Sequence, residues 1–255
     1  MNQQSTDRVF AEPLETLERF AFNDDVASVF NDMIERSVPG YRSIVTQTGL
    51  LTARFARSNS HCYDLGCSLG ESALSMRHQL DKLSTAQRHN ISIVAVDNSS
   101  AMLSRLQHKV EADKLNADPL SIKLQIVEAD ITDLAFKPCS VAVLNFTLQF
   151  IPREKRQALI NDLAQQLLPG GVLILSEKIR FDDSKQQQLH TEMYENFKRA
   201  NGYSDLEISQ KRDALENVLL PETLETHKKR LLGAGFSSVE VWFQCFNFLS
   251  MVALK

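Results

Sequence analysis

Five short apolar runs, separated by segments of helical pattern, constrain most strongly what this chain can fold into. The runs lie at residues 62–65, 91–96, 124–127, 141–144 and 172–175. Strands that are apolar almost throughout are buried on both faces, as in a parallel sheet covered by helices. The alternation therefore predicts an α/β fold built on a mostly parallel sheet.

The segments between and after these runs predict further elements. Helices are expected at residues 72–80, 100–114, 153–168 and 221–232, and two more strands near 238–245 and 248–254. Pro169-Gly170-Gly171 is expected to stop the third of these helices and to turn the chain into the fifth strand. The short link at Phe246-Asn247 makes the last two strands antiparallel neighbours.

The N-terminal region has a helical rather than a strand pattern. Apolar residues recur at helical spacing between residues 25 and 56, and Pro39-Gly40 divides the stretch into two helices. This pattern predicts a helical cap within residues 1–57. The first 24 residues are polar and are expected to be partly loose.

A second helical region interrupts the alternation after the fifth strand. Residues 181–220 are polar and helix-prone, with a break at Asn201-Gly202-Tyr203. They predict a helical insertion that serves as a lid or as an oligomer contact. With its 255 residues the chain fits one α/β domain with such additions, and we interpret residues 1–255 as a single domain.

Composition excludes several classes of function. The net charge is −4 and the isoelectric point is near 5.9, which argues against strong direct binding of nucleic acid through its phosphates. The four cysteines show no CxxC spacing and the six histidines are scattered, so no metal is expected. Free thiols, the lack of a signal-peptide pattern and the lack of a long apolar run favour a cytoplasmic protein without a membrane segment.

The loop after the first strand carries the strongest local motif, Tyr63-Asp64-Leu65-Gly66-Cys67-Ser68-Leu69-Gly70. In open α/β sheets, ligands bind beyond the carboxyl ends of the strands. Gly66 allows the backbone to approach a ligand, and the loop and helix N-terminus are expected to present free N–H groups to a carboxylate. Asp64 can pair with an amino group. The loop, including Cys67 and Ser68, is therefore predicted to bind an amino-acid head group.

Polar residues also follow the next three strands. Asp97, with Asn98 beside it, ends the second strand, where an acid can accept both hydroxyls of a ribose. Asp130 follows the third strand and can accept an adenine amino group, while Ile131 can pack on the ring. Asn145 follows the fourth strand, beside the expected reacting centre. Because these residues recur at the ends of successive strands, the sequence favours a nucleoside-binding site.

The same loop also matches a different motif. Gly66-Cys67-Ser68-Leu69-Gly70 fits G-x-S-x-G, in which Ser68 would be the nucleophile of a hydrolase and His190 or His227 its base. That motif normally follows several earlier strands, whereas here it follows the first. The loop does not match G-x-G-x-x-G, so nicotinamide binding is disfavoured.

With these motifs the chain resembles class I methyltransferases that depend on S-adenosylmethionine (SAM). More narrowly, it resembles the bacterial carboxy-S-adenosyl-L-methionine (carboxy-SAM) synthase family over almost its whole length. The distinctive blocks are 36–41 (RSVPGY), 63–70 (YDLGCSLG), 143–150 (VLNFTLQF), 197–203 (FKRANGY), 207–212 (EISQKR) and 242–248 (WFQCFNF).

The resemblance implies a Rossmann-like fold with seven strands and an antiparallel last strand. It further implies a homodimer that converts SAM and prephenate into carboxy-SAM and phenylpyruvate without a metal. A partner enzyme would use carboxy-SAM to carboxymethylate the wobble uridine of tRNA. The ligand residues carried over are Tyr41, Gly66, Cys67, Ser68, Asp97, Asn98, Asp130, Ile131, Asn145 and Arg212, and Asp64, predicted above to pair with an amino group, completes the predicted site.

Two of these residues are expected to act in the reaction. Arg212 would hold the new carboxylate through two parallel hydrogen bonds. Without the resemblance, the sequence predicts that Arg212 is an exposed arginine on a charged helix face. Tyr41 would close the pocket over the sulfonium, or it would simply pack in the core. A conventional methyltransferase acting on a small molecule or tRNA, and a non-catalytic SAM-binding partner of a tRNA-modifying enzyme, remain the alternatives.

Overall fold

A seven-stranded sheet forms the centre of the molecule. The computed structural model describes residues 6–13, 19–114 and 121–255, so part of the stretch expected to be loose, at 1–5 and 14–18, lies outside the described residues. The strands are β1 (His61–Leu65), β2 (Ser92–Asp97), β3 (Lys123–Glu128), β4 (Cys139–Asn145), β5 (Leu167–Lys178), β6 (Ser238–Cys245) and β7 (Phe248–Leu254). Their order in the sheet is β3-β2-β1-β4-β5-β7-β6.

The direction of the strands confirms the predicted fold class. Strands β1 to β5 run parallel to one another, whereas β7 runs antiparallel to both β5 and β6. The chain places β2 and β3 on one side of β1, and then crosses to place β4 and β5 on the other. The strand order therefore reverses between β1 and β4, which opens a crevice at the carboxyl ends of these strands.

Helices cover the sheet and form the predicted cap and insertion. The described helices are α1 (Asp24–Ser37), α2 (Tyr41–Phe55), α3 (Glu71–Leu80), α4 (Ser100–Lys114), α5 (Arg153–Gln166), α6 (Ser184–Ala200), α7 (Asp205–Ala214) and α8 (Leu224–Gly233). Gly40 adopts a left-handed conformation with φ +76° between α1 and α2, as the Pro39-Gly40 break predicts. Ser204 and Glu207 form a capping box that starts α7.

The apolar core lies in two layers, one on each face of the sheet. Successive residues of β4 alternate between the layers, with Val141 and Val143 on one face and Ala142 and Leu144 on the other. One layer packs against α3 and α4, and the other packs against α5 and α8. Because both faces are covered, the strands need apolar residues throughout, which explains the apolar runs.

Two predicted boundaries are wrong. Helix α5 ends at Gln166, and Pro169-Gly170-Gly171 lies within β5 rather than in a turn before it. Here the Gly170 N–H donates to the Lys255 carbonyl at 3.1 Å and the Lys255 N–H donates to the Gly171 carbonyl at 2.9 Å, so pairing with the chain end keeps the segment extended. Helix α8 begins at Leu224 rather than at residue 221 because the Thr223 side chain caps it.

The insertion packs against the N-terminal cap. The Arg36 Nε donates to the Asn201 carbonyl at 2.7 Å, and its guanidinium lies 4.0 Å from the centre of the Tyr203 ring. The Tyr203 hydroxyl donates to Asp7 at 2.6 Å. These contacts join the RSVPGY and FKRANGY blocks, which are far apart in the sequence. Of the helices described, none is long and apolar enough to cross a membrane.

Candidate functional site

A cavity of about 450 Å³ lies at the carboxyl ends of the parallel strands, a size typical of small-molecule sites. It brings together the predicted residues that follow four different strands. The predicted site residues that line it are Tyr41, Asp64, Gly66, Cys67, Ser68, Asp97, Asn98, Asp130, Ile131 and Asn145. The residues that the strand-end pattern predicts therefore lie together along one half of this cavity.

The loop between β1 and α3 is held tightly against its neighbours. At Gly66 φ is +74°, and a Cβ atom would clash with the side chain of Thr147, so this position requires glycine. The N–H groups of Gly66 and Cys67 donate to the Val96 carbonyl, and that of Ser68 donates to Asp97 at 2.8 Å. These three N–H groups are not free for a ligand carboxylate, contrary to the prediction, because they join the loop to β2.

Asp64 is a buried carboxylate with a free oxygen. The residue is 2% exposed, and its Oδ2 has no hydrogen-bond partner among the described residues. Burial raises the pKa of Asp64 to about 7, and the charge of Asp97 adds to this effect, while a hydrogen bond from the Ala73 backbone opposes it. An ammonium group placed in the cavity would give Oδ2 the partner that it lacks.

The acidic side chains after β2 and β3 have fixed orientations. The carboxylate of Asp97 accepts the Ser68 N–H on one oxygen and the Ser99 N–H on the other. Its burial nevertheless raises the pKa of Asp97. Asp130 is exposed at the cavity rim and accepts the Thr132 N–H at 2.8 Å, while Ile131 is buried beside it. This arrangement fits a ribose at Asp97 and a flat base on Ile131.

The Asn145 amide connects several elements at the centre of the crevice. Its Nδ2 donates to Ser72 on α3 at 2.9 Å and to Thr48 on α2 at 3.2 Å. Its Oδ1 accepts the Ser176 hydroxyl of β5 at 2.6 Å. Asn145 thus lines the cavity, and its polar groups hold the two sides of the crevice together.

Aromatic rings form a wall beside Asn145. The centre of the Tyr41 ring lies 6.4 Å from that of Phe146, which in turn lies 6.0 Å from Phe248. Phe248 lies 5.0 Å from Tyr194 of the insertion. Tyr41 begins α2 directly after the left-handed Gly40, so the break in the cap places its ring in the cavity. Such a wall can exclude water and can contact a cation through ring faces.

Sequence reasoning missed the lysines of the cavity. Lys178 ends β5 and lines the cavity, and its Nζ lies 4.7 Å from the centre of the Tyr194 ring. Lys211 also lines the cavity, where its Nζ donates to Ser37 at 2.9 Å and lies 3.8 Å from Asp7. Lys178 comes shortly after the predicted fifth strand, just as the predicted polar residues come after theirs. Its position at a strand end could therefore have indicated it as a site residue.

Arg212 is the predicted site residue that this chain does not bring to the cavity. Its side chain is 62% exposed on α7, where it lies 3.5 Å from both Glu195 and Asp213. Arg212 does not line the described cavity. The structure therefore places Arg212 on the charged face of a helix, apart from the other predicted residues.

The alternative hydrolase site is not assembled in the described part of the chain. The Ser68 hydroxyl donates to the sulfur of Met102 at 3.3 Å. His190 stacks on Phe181 with ring centres 4.2 Å apart, and His227 is fully buried beside Arg230. Burial also raises the pKa of the Cys67 thiol well above its usual value, which disfavours a nucleophilic thiolate. Nor do the described residues contain a group of three or more side chains placed to hold a metal ion.

Comparison with known proteins identifies the family. A family model described as a methyltransferase domain matches residues 62–171. A protein of Citrifermentans bemidjiense named carboxy-S-adenosyl-L-methionine synthase is 53% identical over 252 residues, which cover 99% of each chain. A protein of the same name from Photobacterium profundum is 51% identical over 255 residues, which cover 100% of each chain. The chain belongs to the carboxy-S-adenosyl-L-methionine synthase family.

Solved structures show that this family member shares the methyltransferase fold. An O-methyltransferase family protein from Burkholderia thailandensis matches with a TM-score of 0.63 at 13% identity, covering 94% of this chain and 65% of that one. Human N-acetylserotonin methyltransferase, solved in complex with SAM, matches with a TM-score of 0.59 at 14% identity, covering 91% and 55%. At such low identity these likenesses establish the fold.

The raised pKa of Asp64 predicts a pH effect on the stability of the ligand-free protein. Between about pH 4 and pH 7 the folded state retains a proton that the unfolded chain loses, so the free energy of unfolding falls as the pH rises. Asp64→Asn should remove this contribution, and urea unfolding at several pH values would measure the difference. Asp162→Asn, the same change at an exposed position of α5, is the control. Parallel pH profiles for Asp64→Asn and the wild type would contradict the prediction.

Proposed function

We propose that this protein is a carboxy-SAM synthase that converts SAM and prephenate into carboxy-SAM and phenylpyruvate. The observation that carries the proposal is the order of side chains along the crevice, with Asp130, Asp97 and the unpartnered Asp64 on one side of Asn145 and Lys178 on the other. The full-length similarity to proteins named for this activity supports it.

SAM fits the acidic side of the cavity. Its amino group would pair with Oδ2 of Asp64, and its ribose hydroxyls would bind Asp97. Adenine would pack on Ile131, and its amino group would donate a hydrogen bond to Asp130. Asn98 would lie beside the adenine. The sulfonium and its methyl group would then lie near Asn145 and the aromatic wall, where Tyr41 offers a ring face to the positive charge.

The reaction balances without any further reactant. Prephenate loses its ring carboxylate as CO₂ and its ring hydroxyl as hydroxide, and the electron pair of the broken C–C bond completes the aromatic ring. Hydroxide takes a proton from the S-methyl group of SAM, which gives water and a sulfonium ylide. The ylide carbon attacks CO₂ and forms the new C–C bond of carboxy-SAM. The products are carboxy-SAM, phenylpyruvate and water.

The chain's own contribution is to hold both reactants and to keep out water. CO₂ and the ylide would both be lost in a hydrated site, so the reaction requires a closed cavity. Phe20 and Phe22 from the N-terminal segment line the cavity, and Phe22 packs edge-on against Phe150 at 5.3 Å. These rings and the aromatic wall supply the apolar enclosure.

We further propose that the protein acts as a homodimer in the cytoplasm and supplies carboxy-SAM to a separate tRNA carboxymethyltransferase. Leu189 and Met193 of α6 and Leu206 of α7 are exposed apolar side chains on the insertion, which supports pairing through it. The net charge of −4 disfavours direct binding of tRNA by this chain.

Incubation with SAM and prephenate tests the proposed activity. Mass spectrometry should detect carboxy-SAM and an equal amount of phenylpyruvate. Asp97→Ala should reduce the yield at low SAM concentration, because the ribose loses its acceptor, while Asp162→Ala on α5 is the control. S-adenosylhomocysteine together with a methylated acceptor, and no carboxy-SAM, would indicate a conventional methyltransferase. Binding of SAM without turnover would indicate a non-catalytic partner.

We propose that Arg212 binds the new carboxylate of carboxy-SAM. For this role Arg212 must approach a cavity, either by movement of α7 or from a second copy of the chain. Arg212→Ala should weaken binding of carboxy-SAM about 10-fold or more while changing SAM binding little, because only carboxy-SAM presents the carboxylate. Calorimetric titration with both ligands measures this. Arg199→Ala, at another exposed arginine of the insertion, is the control. Equal losses for the two ligands would remove the role.

A further inference from the structure

The charged groups of the cavity are arranged asymmetrically along the edge of the sheet. The carboxylates lie at the ends of β1 and β2 and after β3, whereas Lys178 ends β5. Strand β4 separates β1 from β5, so these two strand ends lie roughly 10 Å apart. Lys155, which also lines the cavity, is exposed and lies at the Asp130 rim beside Thr132. The positive charge at β5 is therefore separate from the predicted SAM half.

Lys178 lacks a carboxylate partner. Among the described residues, no carboxylate oxygen lies within 4.0 Å of its Nζ, which lies instead 4.7 Å from the Tyr194 ring centre and 5.9 Å from that of Phe248. Glu195 exerts the main opposing charge, but it is paired with Arg199 and Arg212. Burial lowers the pKa of Lys178 to about 8. A half-buried ammonium in this position would be stabilised by an anion in the cavity.

A second lysine lies on the same aromatic ring. The Nζ of Lys198 lies 4.5 Å from the Tyr194 ring centre, and the residue is 5% exposed. Burial and the charge of Lys178 lower the pKa of Lys198 to about 7. Two lysine amino groups thus contact one ring, and the charge of each adds to the positive potential near Tyr194. Lys211 differs, because Asp7 and Ser37 already satisfy it.

The position of Lys178 is fixed by its backbone. Its N–H donates to Oε1 of Gln149 at 3.0 Å, and the Gln149 carbonyl accepts a hydrogen bond from the fully buried Arg156 at 3.1 Å. Arg156 in turn pairs with Glu222 at 2.6 Å. A buried network therefore holds the end of β5 where its lysine meets the cavity, which is typical of a built binding group rather than a mobile surface lysine.

We propose that Lys178, assisted by the charge of Lys198 at the same Tyr194 ring, binds the carboxylate that the CO₂ donor retains through the reaction. This inference rests on the proposed function and assigns the second half of the same cavity. The donor carries two carboxylates. An ammonium bound to the departing carboxylate would stabilise the ground state and oppose loss of CO₂, since that carboxylate must give up its negative charge. Lys178 therefore holds the other one, in the pyruvyl side chain.

This assignment also explains how the site selects its second substrate. A neutral methyl acceptor would cover the Lys178 ammonium without pairing with it, whereas a carboxylate would supply a partner. The departing carboxylate would then lie against the apolar ring of Phe146, where a weakly solvated anion loses CO₂ more readily. Phenylpyruvate keeps the retained carboxylate, so it should bind the same group as prephenate does.

The test compares Lys178→Met and Lys178→Arg with the wild type. Steady-state turnover at saturating SAM gives KM and kcat for prephenate, and calorimetry gives the affinity of protein loaded with S-adenosylhomocysteine for phenylpyruvate. Lys178→Met should raise both the KM and the phenylpyruvate dissociation constant about 30-fold or more, the loss typical of truncating one partner of a buried charge pair. Lys178→Arg should recover part of this loss, and SAM affinity should stay near that of the wild type. Lys185→Met, an exposed lysine of α6, is the control.

Each result decides a separate point. Wild-type KM and phenylpyruvate affinity in Lys178→Met would overturn the inference, as would an equal loss of SAM affinity, which would indicate a structural role. Wild-type protein that binds prephenate and phenylpyruvate through Lys178 but forms no carboxy-SAM would overturn the proposed function and leave the anion site standing. Wild-type protein that binds neither acid would overturn both.

Discussion

The reversal of strand order between β1 and β4 is the constraint on which the site depends. Parallel strands end at one edge of the sheet, and helices from the two halves diverge to opposite faces, so a crevice opens where the order reverses. Any ligand in this crevice contacts the residues that follow several strands. The few residues at or just beyond the carboxyl end of each strand therefore supply most of the polar groups of the site, and the rest of each strand supplies a rigid support.

Contacts between distant segments complete the other half of the cavity. The cap supplies Tyr41, the insertion supplies Tyr194, and β7 supplies Phe248. Arg36 and Tyr203 fasten the cap to the insertion, and Asn145 ties both sides of the crevice together. The blocks 36–41, 63–70, 143–150, 207–212 and 242–248 each contribute a residue that lines this cavity, and block 197–203 packs against block 36–41.

Much of the fold follows from local sequence patterns. The predicted bounds of β6 and β7 agree with the structure because both strands alternate or run apolar between clear breaks, and Phe246-Asn247 leaves them no connection except a hairpin. The sequence pattern predicted a turn at Pro169-Gly170-Gly171, and this was wrong. Backbone hydrogen bonds of Gly170 and Gly171 to Lys255 outweigh the usual turn preference of these residues. That pairing joins segments far apart in the sequence, so no local rule could show it.

The candidate site was predictable only in part, for the same reason. Residues after β1 to β4 could be placed because the strands position them, but lysines of the insertion look like ordinary surface charges in a polar segment. Only the packing of α6 and α7 on the cap shows that Lys198 and Lys211 are buried. Conversely, Arg212 lies on the exposed face of α7, a placement that a motif match cannot reveal.

Transfer of carbon between the two substrates tests the central claim most directly. Prephenate labelled with ¹³C in its ring carboxylate would be incubated with SAM and the protein in a buffer that contains excess unlabelled bicarbonate, and carboxy-SAM would be weighed. The proposed carboxylation within the cavity predicts that the product keeps the label in full, because CO₂ passes to the ylide before it can exchange with solvent. Unlabelled carboxy-SAM, or label lost in proportion to the bicarbonate, would contradict this account.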